Sequence, residues 1–358
     1  MTVKNIKVKN QKLDKLEALR GFAALYVVLF HALPQKFYLF GINVGVLFRF
    51  GPESVILFFI LSGFVIKYTY ERSKDKSFKS YFIRRFIRLY SPMLIIFLLG
   101  YGIKCFEEGA MADPQWLRLG GNLLMLQDVV TQKPNVICGV YMDNGPLWSL
   151  SYEWWFYMLF FLLVTKIKSE RMNFWIAVIT ISAAFSYLFY PFMLNRLLMY
   201  FAIWWIGVRF AQTYLNKEVF SIKKMLPYGA VLLTITAILG LNLYLNRAAI
   251  ETYQFRYSAF PIIEFRHFAF AFLVMFGAII WQNYHWFAFN RIFGIFKYIA
   301  PCSYVIYISH TYLVVHATYL SFLNNFALEL FLYIIVMIAF SFFVEVFIYN
   351  KIRKLVLG

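Results

Sequence analysis

The feature that most constrains this chain is a series of long apolar runs. A helix needs about 20 mainly apolar residues to cross a bilayer. Ten such stretches can be read, at 17–34, 52–70, 86–104, 146–165, 172–190, 194–212, 226–245, 262–281, 298–320 and 326–349. In hydrocarbon every backbone polar group must be satisfied within the segment, so runs of this length are helices. The expected class is an all-α, polytopic integral membrane protein. Of its 358 residues, 62% are hydrophobic and 15% charged, too few charged groups to cover a soluble domain of this size. The sixth and eighth stretches fit least well, because one carries Arg196 and the other opens on Glu264, Arg266 and His267.

Charge distribution orients the spans. An even number of crossings puts both termini on one side. If that side is the cytoplasm, its segments hold 26 of the 35 Lys and Arg. They are six in 1–20, eight in 67–88, three in 166–171, four in 209–224, two in 291–297 and three in 351–354. Cytoplasmic loops are expected to carry this excess. The net charge of +18 is therefore assigned to loops and anionic headgroups, with membrane lipids rather than nucleic acid as the partner. The expected organisation is a basic cytoplasmic tail at 1–16, one membrane domain at 17–350 and a short cytoplasmic tail at 351–358. Residues 105–145 form an extracytoplasmic loop. The first span lacks a convincing small-residue cleavage site and reads as an uncleaved helix. Cys105, Cys138 and Cys302 make no metal pattern, so no metal is expected; Cys105 and Cys138 are a possible disulfide pair if both lie outside.

Ionisable groups within spans are costly and usually face a cavity or a partner. Arg20 and His31 are eleven residues apart, about 1100° of helix, so they share one face with an axial separation of roughly 16 Å. That distance is comparable to the reach of a pantetheine arm. The alternative is an arginine that reaches headgroups and a histidine that merely joins two helices. Arg85 and Arg88, with Arg84 beside them, open the third span and suit bidentate phosphate recognition or an anionic-lipid anchor. Glu153 lies about 10 Å below the outer surface, near the depth estimated for His31. A carboxylate at that position would orient an imidazole used as base, or else be a structural acid. Ser149, Glu153 and Tyr157 share a face, as do Ser303 and His310. Ser62 and Gly63 read as close packing or as a direct contribution to the site. His267 and His316 look interfacial and His285 lies in a cytoplasmic loop, so none of the three is given a role.

In order along the chain come Leu16-Glu17-Ala18-Leu19-Arg20-Gly21-Phe22-Ala23-Ala24 running to His31, then Phe58-Phe59-Ile60-Leu61-Ser62-Gly63-Phe64. Arg85-Phe86-Ile87-Arg88, Leu147-Trp148-Ser149-Leu150-Ser151-Tyr152-Glu153 and Ser303-Tyr304-Val305-Ile306-Tyr307-Ile308-Ser309-His310 follow. These strings, over residues 13 to about 315, resemble the acyltransferase family 3 of membrane acyltransferases, in a stand-alone form without an esterase-like domain. Two departures touch the acceptor side: Pro52-Glu53-Ser54-Val55 replaces a Gly-Val or Val-Asp element, and Tyr307-Ile308-Ser309-His310 stands where Leu-rich forms are common. The resemblance implies transfer of an acyl group, usually acetyl, from cytoplasmic acyl-CoA to a hydroxyl of an extracytoplasmic glycan such as O-antigen, capsule or exopolysaccharide. Acyl-CoA would be a substrate, with no bound cofactor, and a bacterial inner membrane the location. The family's Arg-x10-His motif falls on Arg20 and His31 and its Arg-x-x-Arg on Arg85 and Arg88. On this reading His31 and Glu153 are the expected catalytic pair. Arg20, Arg84, Arg85 and Arg88 would hold the donor, while Ser62, Trp148, Ser149, Tyr157, Ser303, Tyr304 and His310 line the cavity, stabilise an oxyanion or meet the acceptor. The competing readings are a proton-coupled secondary transporter, a non-catalytic partner in glycan export, and an acyltransferase of a small lipophilic metabolite.

Overall fold

The computed structural model describes residues 2–34, 36–250 and 257–357. The long helices are α1 (Thr2–Ala32), α2 (Gly51–Arg72) and α3 (Phe78–Glu108), then a short α4 (Trp116–Leu123) in the loop before α5 (Trp148–Lys166). They are followed by α6 (Ser169–Phe189), α7 (Met193–Leu215), α8 (Ile222–Leu245), the single turn α9 (Arg247–Ile250) and α10 (Ile262–Asn283). The chain closes with α11 (Phe289–Phe293), α12 (Ser303–His310), α13 (Phe326–Phe342) and α14 (Asn350–Leu357). Short 3-10 and π-helical stretches join several of these helices, and there are two minimal strand pairs: Tyr38–Leu39 antiparallel to Ile42–Asn43, and Gln127–Asp128 parallel to Cys138–Gly139.

The all-α membrane class is what the structure shows. Seven helical stretches are long and apolar enough to cross a bilayer, and the bent pair Phe289–Tyr298 with Ala300–Val315, meeting at 53°, would make an eighth. Helices α1 and α7, of 31 and 23 residues, have the length but are more polar. The lysines at the start of α1, and Asn195, Arg196 and Arg209 in α7, are the cause. The structure thus supports fewer spans than the ten expected from the apolar runs and leaves the side of the termini open. Local signals set several boundaries. Pro52 sits in the first turn of α2 with Glu53 beside it. Ser77 caps α3, which ends on Gly109 at φ 63°. Asn325 Oδ1 accepts from Leu328 N at 3.1 Å and caps α13, and Glu329 accepts from Asn325 N at 3.1 Å.

Helices α2 and α7 meet backbone to backbone. A Cβ on Gly63 would fall 2.1 Å from the carbonyl oxygen of Trp204, and one on Gly207 would fall 1.9 Å from that of Ile60. Small residues allow this approach, and in a bilayer such packing takes over part of the role of the hydrophobic effect. Gly63 is therefore a packing residue, while its neighbour Ser62 turns to the site described below.

The loop between α3 and α5 folds onto the bundle through buried charge. Asp128 is fully buried. It accepts from Tyr152 Oη at 2.8 Å and pairs with Lys133 Nζ at 3.0 Å and Arg196 Nε at 3.5 Å. Glu264, also fully buried, accepts from Tyr187 Oη at 3.0 Å, within electrostatic reach of Arg196. Two positive and two negative groups thus offset one another. His267 is not interfacial: it is buried, with its Nδ1 2.7 Å from Tyr200 Oη. Arg196, which makes the sixth stretch a poor lipid-facing span, joins it to the loop, and Glu264 and His267 of the eighth bond Tyr187 and Tyr200 of the neighbouring helices. Cys105 and Cys138 are both free thiols. Cys138 Sγ lies beside Asn122, whereas Cys105 Sγ accepts from Ala112 N at 3.3 Å.

Two stability outcomes follow. Gly207→Ala should lower the thermal midpoint in detergent, with a destabilisation of about 1–3 kcal/mol for over-packing. Gly277→Ala, whose Cβ meets nothing within 4 Å, should not; equal midpoints for both variants would contradict the close crossing. Asp128→Leu leaves Lys133 and Arg196 buried without their carboxylate, a loss of about 3–5 kcal/mol, read as a lower midpoint and faster proteolysis of the 105–145 loop.

Candidate active site

Two cavities stand back to back between the helices. One, of about 520 Å³, is lined by six arginines, Arg20, Arg72, Arg84, Arg85, Arg88 and Arg353, against one carboxylate, Glu153. The other, of about 860 Å³, is lined by His31, Lys133, Trp148, Arg266 and His267, among others. Tyr307 lines both. Its hydroxyl lies 2.9 Å from Ser149 Oγ, and its ring packs against Phe58 with centroids 5.7 Å apart. Arg20 and His31, which helix periodicity puts on one face of α1, open into different cavities, one on each side of that tyrosine.

The arginine cavity draws on four segments. Arg20 comes from α1 and Arg72 from the end of α2; Arg84, Arg85 and Arg88 come from the first turns of α3, and Arg353 from α14. Several are held in place. Arg85 donates to Thr69 Oγ1 at 2.9 Å and stacks on Tyr81, 4.4 Å from the ring centroid. Arg84 donates to Ser73 Oγ at 3.0 Å and to the Asp75 carbonyl at 3.1 Å. Arg88 pairs with Glu345, in the π-helical stretch Phe343–Tyr349, and lies between the rings of Tyr304 and Tyr349. A cluster of guanidinium groups whose forks are oriented before a ligand arrives is suited to bidentate recognition of phosphate.

Deeper in this cavity Ser62 Oγ donates to Glu153 Oε1 at 2.7 Å, and Tyr157 Oη bonds the same carboxylate oxygen. Trp204 Nε1 donates to Ser62 Oγ at 3.3 Å. Ser303 and Tyr304 also line it; Ser303 Oγ donates to the Ala300 carbonyl at 2.8 Å and Tyr304 Oη to that of Leu89 at 2.8 Å. Glu153 does not meet His31. It lies five residues inside α5, about 7.5 Å along the axis. His31 is one residue from the C-terminal end of α1. Depths estimated from sequence alone miss that offset. The ring beside His31 belongs to His310, with centroids 5.2 Å apart and planes at 33°.

The second cavity has aromatic and cationic walls. Lys133 Nζ sits 3.8 Å from the centroid of Trp148, and His267 is nearly parallel to that indole at 5°, with centroids 6.3 Å apart. At its mouth Arg266 pairs with Glu53 at 2.6 Å and donates to the Tyr257 carbonyl. Of the expected site residues, the structure gathers Arg20, Arg84, Arg85, Arg88, Ser62, Ser149, Glu153, Tyr157, Ser303 and Tyr304 around the first cavity. His31 and Trp148 line the second. His310 is fully buried beside His31. The residues that sequence reading passed over are Arg72, Arg353, Lys133, His267 and above all Tyr307. The run Glu264, Arg266, His267 at the head of a span was a signal, since lipid would not accept it, and Tyr307 lay within the fifth string without a role of its own; nothing local marked Arg72, Arg353 or Lys133.

An alignment of 185 positions, covering 48% of the chain, is 35% identical to acyltransferase MdmB of Streptomyces mycarofaciens. The match spans 45% of that relative's own length. No solved structure matches the chain. Residues 13–346 match a family model described as an acyltransferase domain, all but the ends of the chain, and with it the five strings, in order, that line or flank the two cavities. The protein belongs to the acyltransferase family 3 of membrane acyltransferases.

Proposed function

We propose that this protein moves an acetyl group from cytoplasmic acyl-CoA to a hydroxyl of an extracytoplasmic cell-surface glycan, in a bacterial inner membrane. The class of glycan would be O-antigen, capsule or exopolysaccharide. The observation that carries this reading is the pair of cavities meeting at Tyr307, arginines in one and His31 in the other. A donor with several phosphates and a long neutral arm fits such a division. Its charged end would stay among the guanidinium groups while the arm carries the thioester toward Tyr307. The roughly 16 Å between Arg20 and His31 along α1 is of the order this needs. Ten crossings with both termini in the cytoplasm would put the arginine cavity inside, where the donor is made, in agreement with the excess of Lys and Arg on that side.

The chemistry requires no redox partner. The acceptor hydroxyl oxygen attacks the thioester carbonyl carbon, the carbon–sulfur bond breaks, and the hydroxyl proton ends on the released thiolate. His31 would take that proton as general base, or first accept the acyl group itself and then pass it on. Both routes use one imidazole lone pair. Ser149 and Tyr307 supply hydroxyls at the junction, suited to a developing oxyanion. Glu153, bonded by Ser62 and Tyr157, would offset the charge of Arg20 and hold the deep wall of the donor cavity. Trp148 and the cationic groups of the outer cavity would meet the sugar. Membership of an acyltransferase family sets the transporter and scaffold alternatives aside.

Two measurements test this reading. Purified protein in detergent should bind acetyl-CoA saturably in calorimetry, and Arg85→Ala with Arg88→Ala should weaken binding at least tenfold, about 1.4 kcal/mol. A folded wild type that binds no acyl-CoA would refute the donor assignment. His31→Ala should keep acetyl-CoA binding but lose transfer to envelope glycan by about 100-fold or more, followed with radiolabelled acetyl groups in membranes; glycan acetylation at the wild-type rate in that variant would remove His31 from the reaction.

A further inference from the structure

His310 is the side chain that packing sets against His31, and its hydrogen bonding has a chemical consequence. Ala24 and Val28, both fully buried, precede His31 by seven and three residues on one face of α1. Ile306 and Val314, on α12 and its continuation, flank His310 at four residues on either side. These four residues belong to one buried apolar cluster. The contact between the two helices therefore delivers the two imidazoles to each other, 5.2 Å between centroids.

His310 Nδ1 lies 2.7 Å from the carbonyl oxygen of Tyr307. A carbonyl only accepts, so Nδ1 carries the hydrogen, and in the neutral ring Nε2 keeps a bare lone pair. That nitrogen is buried and has no hydrogen-bond partner among the described residues. A buried acceptor left unsatisfied costs about 1–3 kcal/mol, and the neighbouring ring with a hydrogen to give is His31. Immediately after His310 the backbone changes to π-helical pitch over Thr311–Val315, a local irregularity often found at functional sites.

We infer that His310 is the positioning residue of His31: its Nε2 accepts the N–H of the facing His31 nitrogen and so leaves the lone pair on the other nitrogen for acyl transfer. The inference rests on the acyl-transfer reading of His31 above. It gives the imidazole a neutral orienting partner in place of the carboxylate expected from sequence. When His31 takes up the proton of the acceptor hydroxyl, both its nitrogens become donors and the bond to His310 persists. Hydrogen bonds of this kind are commonly loose before substrate binds and tighten in the loaded enzyme.

The test has two arms. Full-length protein labelled with ring-15N histidine, with signals assigned by single substitutions, should show His310 protonated on Nδ1 and bare on Nε2 at pH 8; a ring protonated on Nε2 overturns the proposal. This arm does not depend on any activity, so it separates the fate of the inference from that of the acyl-transfer reading, which fails on its own if the wild type transfers no acyl group. In the second arm, His310→Gln keeps an acceptor near the Nε2 position and His310→Leu removes it. We expect the Leu variant to lose about 100-fold in kcat with the KM for acyl-CoA nearly unchanged, and the Gln variant to stay within about tenfold of wild type. Equal losses in both variants, or a Leu variant as active as wild type, would refute the positioning role. Should the Leu variant fail to fold, the tautomer and the Gln variant still decide the matter.

Discussion

A bilayer has no water to give an ionised side chain, and the interior of this protein is arranged around that shortage. Charges within the bundle are neutralised in pairs or gathered where a cavity admits solvent or ligand. Asp128, Lys133, Arg196 and Glu264 balance one another far from the basic cavity. Arg266 and Glu53 pair at the mouth of the second cavity, and Arg88 and Glu345 beside the first. What is left over is not scattered. Five further arginines, Arg20, Arg72, Arg84, Arg85 and Arg353, face the first cavity with Arg88 and a single lining glutamate, an excess of positive charge suited to an anionic ligand.

The same constraint explains the division at Tyr307. A polyanion does not cross hydrocarbon, but an uncharged arm can lie between apolar side chains. Phe58 packs on the tyrosine ring and Ser149 meets its hydroxyl, so the partition is thin, largely apolar and tipped with hydroxyls. The backbone contact of α2 and α7 serves this arrangement from behind. Gly63 seats α2 against Trp204, and Trp204 in turn donates to Ser62, which donates to Glu153. A slip at that crossing would be felt at the floor of the arginine cavity two bonds away.

Local features of the chain were legible in the sequence. The apolar runs revealed the membrane class and most span positions, because length and hydropathy are properties of a single segment. The common face of Arg20 and His31 follows from helix periodicity alone, and the structure sorts the two into the two cavities. The expected meeting of Glu153 with His31 failed because it compared depths along two separate helices: Glu153 lies five residues inside α5, whereas His31 is one residue from the end of α1, and the two line different cavities. Tyr307, Lys133, Arg353 and His267 gain their positions from segments far apart in the chain. Their neighbours, not their own context, bring them to a site. The polarity of stretches six and eight carried real information, since it reported a buried network; a count of spans by mean hydropathy treats that information as noise.

The surroundings of the two candidate reactive groups differ in a way that bears on mechanism. Glu153 is bonded by two hydroxyls, Ser62 and Tyr157, both on its Oε1. His31 faces a cavity and has a second imidazole as its nearest ring partner across the helix contact. A neutral partner orients an imidazole without adding a charge that the membrane interior would have to offset. A buried carboxylate at the same place would need a counter-ion of its own, as Asp128 and Glu264 do. Among the described residues the buried acids Glu53, Asp128, Glu264 and Glu345 are each bonded by a cation or a hydroxyl donor, so the histidine beside His31 is the less costly way to orient an imidazole one residue from the end of α1.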